Sequence, residues 1–188
     1  MKYLALDIGN VCIKIDHVGC YSKVGFCGMP PQEVMQLSRE YECGRLTEDE
    51  FWTQFQQFAP DKTKTRQDLE QDFDSILVEP MPGMEELIAS LPERGIQPVF
   101  FSDVSARHMK LVRRMFQASR VVPDGICSFE TGAMKPEEPM FEAFEKRFGI
   151  PVLYVDDREI LIEAARERGW NAVVFSGASD LEQALQNV

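Results

Sequence analysis

MKYLALDIGNVCIKID, residues 1–16, is the stretch on which the fold turns. Tyr3 to Leu6 is a short apolar run suited to a buried strand, and it stops at a carboxylate, Asp7, rather than at a turn residue. Two later runs end in the same way. Pro98 to Phe101 leads into Ser102 and Asp103 in FFSDVS, and Val152 to Val155 leads into Asp156 and Asp157 in LYVDDRE. Ala172 to Phe175 reads as a fourth strand, and another is expected near Ile126 to Phe129. The segments Ala106 to Phe116, Glu138 to Phe148 and Ile160 to Arg168 repeat apolar residues at three and four, as crossover helices between parallel strands require. That alternation predicts an α/β fold, a three-layer sandwich around a parallel sheet.

Residues 15–79 break the rhythm. Helical patterns cover Gln32 to Tyr41, Thr47 to Phe58 and Arg66 to Ile76, with no convincing strand among them. Thr47 with Glu50 three residues on forms a capping box before Phe51, Trp52, Phe55 and Phe58, an aromatic stripe expected to form core. Pro80-Met81-Pro82-Gly83 punctuates the return. The expected division is a main domain of residues 1–14 and 80–188 with an inserted helical module at 15–79.

With 188 residues, 44% hydrophobic and 27% charged, the chain has the composition of a single globular domain. A net charge of −11, spread along the sequence, argues against nucleic acid and anionic membranes as partners. No apolar run approaches a membrane span and the N-terminus does not resemble a signal peptide, so a cytoplasmic protein is expected. The five cysteines contain no C-x-x-C pair, which predicts reduced thiols rather than a disulfide framework.

Ligands of parallel α/β sheets bind at the carboxyl ends of the strands, where Asp7, Ser102, Asp103, Asp156 and Asp157 all fall. Lys135, in GAMKPEEPMF, is placed at the same edge. Converging carboxylates repel one another unless a divalent cation sits among them, and hard oxygen ligands suit magnesium. A hydroxyl and an ammonium at the same spot suit a phosphoryl group, with a carboxylate as nucleophile.

In this order Asp7-Ile8-Gly9-Asn10-Val11, Ser102, Lys135-Pro136 and Asp156-Asp157 resemble the four motifs of the haloacid dehalogenase superfamily of phosphohydrolases. The resemblance spans almost the whole chain, including the Glu42-Cys43-Gly44-Arg45-Leu46-Thr47 turn and Glu163-Ala164-Ala165. It implies a Rossmann-like core with a small α-helical cap, and a phosphatase of small phosphorylated metabolites. Asp7 would be the nucleophile. Magnesium would be held by Asp7, the main-chain oxygen of Gly9 and Asp157, with Asp156 one shell out. Ser102 and Lys135 would hold the phosphate, backbone N–H groups of Gly9 and Asn10 would add donors, and Asp103 would lie beside the substrate or cap the next helix.

Gly9 departs from the common pattern, which has a second aspartate there as general acid and base. Its loss removes help typically worth about a hundredfold to ten-thousandfold. Three readings stand at this stage. The Asp-x-Gly-Asn-Val spelling is similar to a branch associated with sugar-phosphate phosphatases. Non-phosphatase members such as dehalogenases also lack the second aspartate. A weak or inactive binding relative is the third. Leu161 replaces an asparagine common after the double aspartate, so a supporting hydrogen bond is expected to be missing, and Arg158 is expected to lie at the surface. Asp16, His17, Tyr21, Lys23, Tyr41 and Arg45 are the polar candidates for substrate choice.

Overall fold

A computed structural model describes residues 1–186 and Val188. From the N-terminus the chain forms β1 (Lys2–Leu6), β2 (Ile13–Ile15), α1 (His17–Val24), α2 (Gln32–Glu42), α3 (Glu48–Phe58), α4 (Arg66–Asp74) and β3 (Leu77–Pro80). It continues through α5 (Met84–Ser90), β4 (Ile96–Ser102), α6 (Ala106–Met115), β5 (Gly125–Cys127), α7 (Ser128–Thr131) and α8 (Glu138–Phe148). The last elements are β6 (Leu153–Asp156), α9 (Glu159–Glu167), β7 (Ala172–Val174) and α10 (Ala178–Leu185). Five parallel strands make the main sheet in the order β5-β4-β1-β6-β7.

Apolar residues of β1 leave toward both faces, as a sheet covered on each side demands. Leu4 and Leu6 pack with Met84, Ile88 and Val112 on one face. Ala5 packs with Phe101, Phe141, Phe144 and Trp170 on the other. The register sets Leu6 level with Phe100 of β4 and Val155 of β6, so the next residue on each strand brings Asp7, Phe101 and Asp156 side by side. This is the Rossmann-like, three-layer α/β arrangement that the strand pattern predicts.

Helices α1 to α4 pack around a separate apolar cluster containing Val34, Tyr41, Phe51, Trp52, Phe55 and Phe73. Thr47 and Glu50 form the predicted capping box, and Thr65 with Asp68 forms a second. Phe58 departs from the expected stripe: it is 40% exposed at the last turn of α3, beyond the cluster.

Residues 15–79 are not free of strand. Ile13–Ile15 pairs antiparallel with Leu77–Pro80, a two-stranded ribbon where the helical segment leaves and rejoins the sheet. Its strands are three and four residues long, too short for alternation to register. β5 ends at Cys127, earlier than expected, because Ser128 turns the chain into α7.

The helical segment is tied to the sheet domain at several points. Arg107 of α6 donates to both carboxylate oxygens of Asp74 at 2.7 Å and to Glu48 at 2.6 Å, and lies 5.5 Å over the Trp52 ring. Ser128 Oγ donates to the carbonyl of Glu42 at 2.7 Å and accepts from Val104 N at 2.9 Å. At Gly44, φ is +66° and an added Cβ would stand 2.2 Å from the carbonyl oxygen of Phe129, so only glycine allows this approach.

Candidate active site

Three strand ends and one loop build the site. Asp7 follows β1, Ser102 ends β4, Asp156 ends β6, Asp157 follows it, and Lys135 reaches in from the loop before α8. Lys135 is buried, and its Nζ donates to Asp7 Oδ1 (2.7 Å), Asp156 Oδ2 (2.5 Å) and the carbonyl of Phe101 (2.9 Å). That uses all three ammonium protons. Tyr154 Oη donates to Asp156 Oδ2 at 2.6 Å, and Arg158 N donates to Asp156 Oδ1 at 3.0 Å. Asp156 is thereby an organiser of Lys135 and of the turn into α9.

Burial opposes the charge of Lys135, but Asp7, Tyr154 and Asp156 around it outweigh that and hold its pKa well above the ordinary value. Burial pushes Asp7 up to about 6 against the pull of Lys135. Burial also opposes ionisation of Asp156, yet Lys135 and its hydrogen bonds keep it below the usual carboxylate range.

Carboxylate oxygens of Asp7, Asp156 and Asp157 lie within 4.8 Å of one another. Three carboxylates face a single ammonium, an excess of negative charge that a divalent cation balances, and their hard oxygens match magnesium. Asp156 is committed to Lys135, Tyr154 and Arg158 N, so Asp7 and Asp157 are the acids best placed to hold the ion.

Asn10 has a part that sequence reasoning missed. Its N–H is already donated to the carbonyl of Ile13 at 2.7 Å, which removes it from the expected phosphate donors. Its side chain donates to Asp157 Oδ2 at 3.0 Å and accepts from Ile15 N at 3.2 Å. The backbone is left-handed there, φ +52°, a conformation asparagine tolerates better than most residues. Asn10 thus supplies a hydrogen bond to the double aspartate, while Leu161 is buried in apolar packing.

Asp103 does not cap α6; Ser105 does, accepting from His108 N. Asp103 instead accepts from Lys135 N at 2.8 Å and from Arg158 Nη2 at 3.0 Å. Arg158 therefore belongs to the site wall rather than to the outer surface alone.

Beside Asp7 and Asp157 opens a cavity of about 320 Å³, at the small end of ligand pockets, while Lys135, Tyr154 and Asp156 are buried behind its wall. Asp7, Gly9, Asn10, Ser102, Asp103 and Asp157 contribute to its floor. Of the six polar candidates for substrate choice, His17 lines it. Asp16 caps α1, Tyr41 stacks on Phe51 inside the helical cluster, and Arg45 donates to Glu40 and to the carbonyl of Gly132. His108, on α6, also reaches the wall, stacked on Phe73 at 4.9 Å and pushed down to about 4 by burial.

Glu42, at the end of α2, is a wall residue that sequence reasoning did not place in the site. Burial, with Asp103 nearby, pushes its carboxyl up to about 7 against Arg158 and Arg39. The Glu42-Cys43-Gly44 turn was the available signal, since Gly44 permits the close approach to α7.

No protein-family model matches the sequence, and no curated protein matches it. Solved structures do. The HAD-family enzyme BT-2542 of Bacteroides thetaiotaomicron superposes with a TM-score of 0.79 at 22% identity, covering 94% of each chain. A HAD-like family hydrolase of Porphyromonas gingivalis gives 0.80 at 18%, covering 100% of this chain and 97% of that one. The L-2-haloacid dehalogenase of Xanthobacter autotrophicus gives 0.63 at 14%, covering 94% and 78%. The chain has the haloacid dehalogenase fold. BT-2542 has been crystallised with magnesium and inorganic phosphate.

Proposed function

We propose that this protein is a magnesium-dependent phosphatase of the haloacid dehalogenase superfamily, acting on small phosphorylated metabolites, sugar phosphates among them. The observation that carries the reading is that Asp7, Ser102 and Asp157 line one cavity, with Lys135 buried behind Asp7 and bonded to its carboxylate. The complex of BT-2542 with magnesium and phosphate supports it. Residues 15–79 act as the cap, and a cytoplasmic location fits a chain in which no described helix is long and apolar enough to cross a membrane.

Asp7 Oδ2 is the free nucleophilic oxygen, because Oδ1 is held by Lys135. Attack on phosphorus forms an aspartyl phosphate, and water then releases phosphate and restores the carboxylate. Ser102 donates to a phosphoryl oxygen, and the ammonium of Lys135, held against Asp7, offsets negative charge from behind the nucleophile. Magnesium, held by Asp7, the main-chain oxygen of Gly9 and Asp157, supplies charge neutralisation at the phosphoryl group.

The test is magnesium-dependent phosphate release from p-nitrophenyl phosphate, acetyl phosphate and a set of sugar phosphates. Asp7→Asn is expected to lower turnover by at least about a thousandfold. Equal, metal-independent background in wild type and variant refutes phosphatase action and leaves the binding-protein reading.

A further inference from the structure

Resting on the phosphatase reading, the site poses a chemical problem: position 9 has no side chain to move a proton. A Cβ on Gly9 would stand 3.2 Å from the terminal methyl of Ile15, a tight contact. An alkyl leaving group still needs a proton as its bond to phosphorus breaks, and the attacking water must later lose one.

The titratable groups facing the cavity come from every wall. Asp103 and Arg158, from the sheet domain, are paired at 3.0 Å, and Asp103 also accepts from Lys135 N. His108 on α6 is stacked and buried. His17, the first residue of α1, is largely exposed and packs beside Tyr21. Glu42 differs from Asp103 in that its carboxylate has no hydrogen-bonding partner among the described residues, although its main chain is fixed. Ser128 holds its carbonyl, Gly44 seats the following turn against Phe129, and Arg45 holds the carbonyl of Gly132. The result is a free acid on an anchored support, facing the cavity that holds Asp7.

We propose that Glu42 is the general acid and base of this enzyme, delivered from α2 in place of the side chain missing at position 9. Asp7 attacks phosphorus, the bond from phosphorus to the leaving oxygen breaks, and the Glu42 carboxyl gives its proton to that oxygen, directly or through one water. The products are an alcohol, the aspartyl phosphate and the Glu42 carboxylate. The carboxylate then takes a proton from the water that attacks phosphorus, the bond from phosphorus to Asp7 breaks, and inorganic phosphate leaves with Glu42 again protonated. A carboxyl whose pKa burial has brought to about 7, with Asp103 adding to and Arg158 and Arg39 opposing that rise, can serve in both directions near neutral pH.

The experiment compares Glu42→Gln with wild type on two magnesium-dependent substrates, glycerol 3-phosphate and acetyl phosphate, by kcat/KM. That ratio reports steps up to departure of the leaving group. Alkoxide departure needs the proton and acetate departure does not. The expected result is a loss of about 10²- to 10⁴-fold on glycerol 3-phosphate, with acetyl phosphate changed less than about threefold. The wild-type decline of kcat/KM for glycerol 3-phosphate above about pH 7 should vanish in the variant. Equal losses on both substrates would make Glu42 a binding or structural residue and overturn the proposal. So would an unchanged value on glycerol 3-phosphate, or a selective loss found instead in His17→Asn. Wild type inactive on both substrates, with Asp7→Asn no different, overturns the phosphatase reading itself and this proposal with it.

Discussion

Arg107→Ala should loosen the join between the helical segment and the sheet domain by an amount the geometry allows one to work out. Arg107 is the cation between Asp74, Glu48 and Glu70, and its side chain is 18% exposed. Asp74, bound through two nitrogens, is 21% exposed, whereas Glu48 is 41% exposed. Removing one partner of a fully buried pair costs about 3–5 kcal/mol, and exposed pairs contribute about 0–1. The Asp74 contact lies between these limits, and solvent screening takes away roughly half of the buried value. Adding the contact over Trp52, about 0.5–1 kcal/mol, gives a loss of about 2–3.5 kcal/mol.

Urea denaturation at pH 7, followed by tryptophan fluorescence, measures this directly. At about 2–4 °C per kcal/mol for a chain of this size, thermal melts should fall by about 4–14 °C. Arg107→Lys keeps the charge but loses the two-nitrogen fork, so it should recover part of the loss. A change below about 0.5 kcal/mol in Arg107→Ala would show that the acids rearrange to water without cost, and that the ion cluster does not hold the segment in place.

Two other outcomes are expected. Burial holds His108 near 4 in the folded state, below its ordinary value of 6.5, so the unfolded chain takes up the proton first. Stability is therefore full above about pH 6.5 and is lost as pH falls toward 4, by up to roughly 3 kcal/mol, and His108→Phe should flatten that part of a stability-against-pH curve. Gly44→Ala should lower stability by at least about 1–2 kcal/mol from its left-handed backbone alone, with the Phe129 carbonyl in the way besides; a melt unchanged from wild type would mean that the turn seats differently.

Some of the site is legible in the sequence because parallel strands impose it. Asp7, Ser102 and Asp156 each directly follow or end an apolar run, and register alone brings such positions together. Lys135 is legible for a different reason, its place between a strand and a helix, although nothing local states that its three protons go to Asp7, Asp156 and Phe101. The ribbon of β2 and β3 escaped because pairing between segments more than sixty residues apart leaves no mark in strands of three and four residues. α1 escaped as well, since its eight residues begin with an Asp16 cap that is equally at home in a loop.

The residues hardest to read are those whose partners come from elsewhere in the chain. Asp103 beside Ser102 looks like a helix cap until Arg158, 55 positions later, is placed against it. Asn10 looks like a turn residue until Asp157 is brought to its side chain. Glu42 looks like one more acid near the end of a polar helix until Ser128, 86 positions on, fixes its carbonyl. In each case a local pattern names a residue type suited to several tasks, and packing across the sheet edge selects one. Gly9 belongs to the same argument. Its missing carboxylate reads as a deficit when position 9 is considered alone, but Glu42 faces the same cavity from the helical segment. What a strand end no longer provides, a helix anchored over it is placed to provide.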